Sequence, residues 1–94
     1  MTTHQDELRR GERARAILDD PLVKEARERL RAELLAAWEA SPARDAEGRE
    51  ALWQLLKLSE RFFGQFESLV MTGRLAAETL AAAERRSPST GEMP

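Results

Sequence analysis

Apolar residues recur every three or four positions along most of this 94-residue chain, with no sustained alternation of period two. That spacing predicts amphipathic helices. There is no Asn-Gly hairpin turn and β-branched residues are few, so no strand is expected and the fold class is all-α. Four helical segments can be read. The first, about Gln5 to Asp19, is weakly amphipathic: Leu8, Ala14, Ile17 and Leu18 are its apolar purchase, and Gly11 is an internal weakness. Asp20-Pro21 closes it and opens the next, because Asp caps free amides while Pro at the first helical position gives up a hydrogen bond that would not be made anyway.

The second segment runs to about Ala40 and gathers Leu22, Val23, Ala26, Leu30, Leu34, Ala37 and Trp38 on one side. Ser41-Pro42 stops it, since the residue before proline is pushed out of the α region. Asp45 is the expected N-cap of a third and longer segment, about Asp45 to Thr72, with Glu47 and Glu50 near the positive end of its dipole. Its stripe of Leu52, Leu55, Leu56, Ser59, Phe62, Phe63, Phe66, Leu69 and Val70 spans an arc of roughly 140° at helical spacing. Leu58 widens that arc, and Trp53 lies outside it.

Glycines leave two questions open. Gly64 reads equally as a close approach by another helix or as a tolerated interruption, and Thr72-Gly73 reads either as the end of the long helix or as a point inside a continuous rod. In both cases Leu75, Ala76, Ala77 and Leu80 restore helical spacing up to Arg86. The expected architecture is an antiparallel helical hairpin of the second and third segments, with a short N-terminal helix and a C-terminal helical extension. Residues 1–86 form its single domain. Residues 87–94 are a polar tail with two prolines and a glycine, expected to be disordered, and Met1 to His4 are expected to be loose.

A chain this short buries a small fraction of its surface and often needs a staple. Cysteine is absent, which removes disulfides, thiolate metal sites and cysteine nucleophiles together and fits a reducing compartment. Oligomerisation is the staple that remains, and the long stripe carries more large side chains than so short a chain can cover. Self-association, of coiled-coil character, is therefore expected through Leu55, Phe62, Phe63, Phe66, Leu69 and Val70. Trp53 joins that interface because it points away from the main arc, whereas Trp38 belongs to the packing of the second helix.

Net charge is −2, so no global attraction to nucleic acid is expected. Arg9, Arg10, Arg13 and Arg15 open a modestly basic stretch that extends to Arg31. Most of its arginines have a carboxylate three or four positions away, which favours a solvated, ion-paired face over a nucleic-acid contact. No apolar run reaches the length of a membrane span, and the polar, acidic N-terminus is unlike a signal peptide, so a cytoplasmic protein is expected. His4 is the only histidine, and Gly48, Gly64 and Gly73 are isolated and form no phosphate loop. No catalytic residue, metal site or cofactor is expected, and the reading is of a protein that is not an enzyme.

One resemblance adds context. Asp20-Pro21-Leu22, a helix ending in Ala37-Trp38-Glu39, the segment from Ser41-Pro42-Ala43-Arg44-Asp45 through Ala46-Glu47-Gly48-Arg49-Glu50, Leu52-Trp53, Leu56-Lys57, Glu67 and Thr72-Gly73-Arg74-Leu75-Ala76 together resemble small helical proteins encoded among tailed-phage and prophage genes. The resemblance covers roughly residues 10 to 80. It implies a phage context in virion assembly or DNA packaging, inside a bacterial host or in the virion, with phage structural or packaging proteins as partners; it carries no catalytic residues. Where that pattern has a basic or histidine-containing stretch before Glu67, this chain has Phe62, Phe63, Gly64, Gln65 and Phe66, and the region is more apolar. The leading expectation is a non-catalytic structural or assembly protein that self-associates. The alternatives are a DNA-packaging accessory of the small-terminase type, working through Arg9, Arg10, Arg13 and Arg15, and a small inhibitor of a host protein.

Overall fold

A computed structural model of the chain describes residues 3–86, and all its regular structure is helical: α1 (His4–Asp19), α2 (Pro21–Ala40) and α3 (Ala46–Arg86). Residues 1–2, and with them part of the loose N-terminus expected from sequence, lie outside the described residues, as does the tail 87–94.

Each boundary has a local cause. The Thr3 hydroxyl accepts the Asp6 amide at 3.1 Å and caps α1, with Asp6 and Glu7 in the first turn, where carboxylates favour the dipole. His4 is thus the first residue of α1, 3.3 Å from Glu7. Asp20 alone separates α1 from α2: its backbone is extended, and its carboxylate accepts the amides of Leu22 at 2.9 Å and Val23 at 3.1 Å ahead of the proline at the first helical position. Ser41 ends α2, donating its amide (3.2 Å) and its hydroxyl (2.6 Å) to the Trp38 carbonyl. Asp45 then accepts the Gly48 amide at 3.0 Å and starts α3.

The long helix does not end at Thr72-Gly73. It runs unbroken for 41 residues, about 61 Å at the standard rise, and sets the long dimension of a molecule measuring 79 × 25 × 19 Å. Among the described residues no glycine has a positive φ, so Gly73 is used for its lack of a side chain and not for a left-handed cap.

Both shorter helices lie against α3 and run opposite to it, but they meet it differently. Along α2 the links are Arg27 to Glu67 and Arg31 to Glu60, each 2.9 Å. Nearer the bend the Arg49 guanidinium donates to the carbonyls of Trp38 and Ser41 (3.2 Å each) and stacks 3.9 Å from the centre of the Trp38 ring. Between these links Leu52, Leu56, Ser59, Phe63 and Phe66 of α3 are turned inward, as is Val70 just beyond them at a cavity it shares with Leu8, Gly11, Glu12 and Arg15 of α1, and of these six only Leu56 is buried.

Against α1 the contact is backbone to backbone. A Cβ built on Gly11 would lie 2.9 Å from both the Gly73 Cα and the Leu69 carbonyl oxygen; one on Gly73 would lie 3.0 Å from the Gly11 Cα and 3.2 Å from the Glu7 carbonyl oxygen. Gly11, which reads in the sequence as a flaw in a fraying helix, is what lets that helix dock. Gly64, the other candidate for a close approach, has nothing within 4 Å of the place its Cβ would take. It is a tolerated interruption.

Among the described residues the buried apolar side chains are Ala14 (2 % exposed), Leu56 (8 %) and Ala76 (2 %), and no large side chain is fully enclosed. Such a core is thin. Transfer of apolar area at about 25 cal/mol per Å² gives little when the enclosed side chains are mostly methyl groups.

Candidate interaction surface on the long helix

The large side chains that the core omits are on the outside, in a regular line. Starting at Ala51, steps of four, three and four along α3 reach Leu55, Leu58 and Phe62, which are 50 %, 60 % and 58 % exposed. This is heptad spacing, one residue behind the inward line of Leu52, Leu56, Ser59, Phe63, Phe66 and Val70, and so about 100° round the helix from it. The strip does not stop at Phe62. With one extra residue after Leu69, steps of three and four lead on past the exposed Gln65 to Leu69, Gly73, Ala76 and Leu80, and from Leu69 α1 covers the line: Leu69 and Leu80 are half-buried, Gly73 and Ala76 buried. One strip of α3 is therefore occupied over its C-terminal half and open over its N-terminal half.

Phe62 anchors the open half. Its ring packs edge-on against Phe63 (5.3 Å between centres) and Phe66 (5.5 Å), so it is held in place by neighbours of its own helix while presenting its outer face to solvent. The Arg27 guanidinium lies 4.7 Å from the Phe63 ring, closing the inner side of the cluster.

On α2, Leu22 (73 % exposed), Ala26 and Leu30 also lie to one side of the line that faces α3. For antiparallel helices, positions offset in the same sense from the contact line fall on the same face of the pair. Leu35 and Trp53, both offset in the positive sense, do so: with Leu34, Trp38, Leu52 and Leu56 they line one apolar cavity of 140 Å³. Leu22, Ala26 and Leu30, offset in the negative sense, therefore share a face with Leu55, Leu58 and Phe62. Arg29 and Glu33 interrupt the α2 side, so the apolar area is concentrated on α3.

The seven side chains expected at one interface are thus divided among four places. Leu55 and Phe62 are on the open strip. Phe63, Phe66 and Val70 turn inward and are half-buried, and Leu69 lies where α1 docks, its carbonyl against Gly11. Trp53 is on the far face, at the cavity it shares with Leu35 and Trp38, and the Lys57 ammonium lies 4.5 Å from its ring centre. Leu58 and Ala51 complete the open strip. In sequence, Leu58 is visible only as a residue that widens the arc; separating two heptad lines one residue apart requires knowing which of them faces α2.

The four N-terminal arginines do not form one surface. Arg9 is ion-paired with Asp6 and Arg15 lies 3.7 Å from Asp19, whereas Arg10 and Arg13 are exposed and have no ion pair among the described residues. At the helical step Arg9, Arg10 and Arg13 share one side of α1, and Arg15 is turned about 120° or more from each of Arg9 and Arg10.

Little on this surface is electrostatically unusual. The Arg9 and Thr3 hydrogen bonds hold the Asp6 carboxyl below its ordinary 3.8, and the Arg31 hydrogen bond, aided by the charge of Lys57, holds Glu60 below its ordinary 4.5. Both are exposed ion-paired groups. Among the described residues no three His, Cys, Asp or Glu side chains come together to hold a metal ion, and no helix is long and apolar enough to cross a membrane. Compared with known protein families, curated proteins and solved structures, the chain matches none.

Proposed function

We propose that this is a non-catalytic helical interaction protein that self-associates through the open strip of α3, in the manner of a phage assembly component. The observation that carries the reading is the line Leu55, Leu58 and Phe62, three large side chains at heptad spacing, each half or more exposed, on a molecule whose own core holds two alanines and a leucine. Isolated exposed leucines are ordinary; a contiguous heptad line beside a fixed aromatic cluster is what helix-on-helix association uses. The phage context rests on the sequence resemblance over residues 10 to 80.

Light scattering on the full chain across micromolar concentrations tests this. The expected result is a mass at least twice the 10.6 kDa of one chain. Leu58→Asp with Phe62→Asp should return it to one chain with helicity unchanged. A single-chain mass at every concentration would overturn the reading.

A second reading, as an accessory that binds packaged DNA, is favoured by the unpaired Arg10 and Arg13 beside Arg9 on one side of α1. Neutralising Arg10 and Arg13 should then weaken DNA binding and reduce its salt slope by about two. Binding that is absent at low salt removes this alternative.

A further inference from the structure

The open strip also specifies how a second copy would lie on it. Resting on the self-association reading above, we infer that the partner is the same strip of another copy, running antiparallel, with Leu55 against the partner's Leu58 and Ala51 against the partner's Phe62.

Three observations lead there. First, α1 covers the continuation of the strip from Leu69 onward, so a long helix laid parallel and in register on Ala51 to Phe62 would run into α1 at its next two turns. An antiparallel copy avoids this: its own covered half projects past the N-terminal end of α3. Second, the open segment is self-complementary in that direction. Its four members pair as a small residue with a large one at each end and leucine with leucine in the middle, which suits the layers of an antiparallel coiled coil.

Third, the charges flanking the strip match. Arg61 has no ion pair among the described residues, and Glu50 has none either, being engaged only with Gln54, whose amide donates to it at 3.2 Å. These groups border the strip on the side away from α2. In the antiparallel register Arg61 of each copy comes level with the Glu50–Gln54 pair of the other, twice by symmetry. In a parallel pairing the flanking positions nearest Arg61 are Ser59 and Phe66, and it meets no carboxylate. The exposed parts of Leu55, Leu58, Phe62 and the α2 leucines sum to on the order of 1,000 Å² over two copies, the size at which specific interfaces begin.

The absence of cysteine makes orientation directly testable. Ala51→Cys and Phe62→Cys chains, mixed and oxidised, should form a disulfide-linked heterodimer, while Ala51→Cys alone should not cross-link. In the antiparallel register its two copies stand about 16 Å apart along the helix axis, far beyond disulfide reach. As an independent arm that keeps Phe62, Glu50→Arg or Arg61→Glu should each raise the dimer Kd about fivefold at low salt, and the double reversal should restore it. Self-linking of Ala51→Cys, or loss without restoration in the double reversal, overturns the antiparallel register while leaving self-association standing. A wild-type chain that is a single chain by light scattering removes both.

Discussion

The two halves of α3 carry the same strip and treat it in opposite ways. Over the C-terminal half the strip narrows to Gly73 and Ala76 between Leu69 and Leu80, and α1 closes on it until backbones touch through Gly11. Over the N-terminal half it is built of Leu55, Leu58 and Phe62, and it is bare; α2 sits beside it, joined to α3 by arginine–carboxylate pairs across half-buried side chains. The half whose closest contact carries almost no side-chain bulk is the well-packed one. Close approach matters more than the size of the hydrophobic groups, because dispersion contacts and water exclusion both fall off within a fraction of an ångström. Large side chains contribute only when something covers them.

That contrast can be broken from the packed side with the largest effect. Gly73→Ala places a methyl group 3.0 Å from the Gly11 backbone and 3.2 Å from the Glu7 carbonyl oxygen, neither of which can rotate away. The expected loss is about 1–3 kcal/mol, the usual range for overpacking, read from urea unfolding and accompanied by faster amide exchange in α1. Gly11→Ala should behave alike.

From the bare side, the Leu58→Asp and Phe62→Asp pair should raise the dimer Kd by ten- to a hundredfold in sedimentation. It should leave the helicity of the separated chain intact, since neither residue belongs to the buried core.

Gly64 sharpens the comparison in the other direction. It faces open space, so Gly64→Ala should stabilise the chain by up to about 1 kcal/mol through helix propensity alone, the opposite sign to the same change at Gly73.

The smallest effect belongs to the α2 link. Glu60 has its carboxyl pKa lowered by Arg31 and then by Lys57, so its contribution is present above the ordinary 4.5 and is lost as pH falls through the lowered value. The difference in urea midpoint between wild type and Glu60→Gln should be small at pH 7 and should shrink as pH falls below the ordinary 4.5.

The breaks between helices were legible in the residues themselves. Asp20-Pro21, Ser41-Pro42 and Asp45 act on backbone amides or carbonyls within three positions of their own, so their effect does not depend on distant partners. The three glycines show the opposite. Gly11, Gly64 and Gly73 all lie in helices, and nothing local distinguishes the two that admit another helix from the one that faces solvent. Thr72-Gly73 carries the letters of a helix end, yet the helix passes through because α1 needs the space. The interface residues divide for the same reason. Phe62 and Phe63 are adjacent and chemically identical, and only the position of α2 makes one a candidate contact and the other a half-buried packing residue.

The paired glycines also act as a stop along a rail. A side chain at either position would prevent α1 from settling where it does, so α1 cannot slide by a turn, and the point at which it ceases to cover α3 is set by two residues that present nothing but hydrogen. The exposed segment ahead of it, three turns from Ala51 to Phe62, therefore has its length dictated from outside itself. Transferring the notch one heptad toward the N-terminus would shorten what is offered to a partner, and transferring it the other way would lengthen it, without altering a single residue of the offered surface.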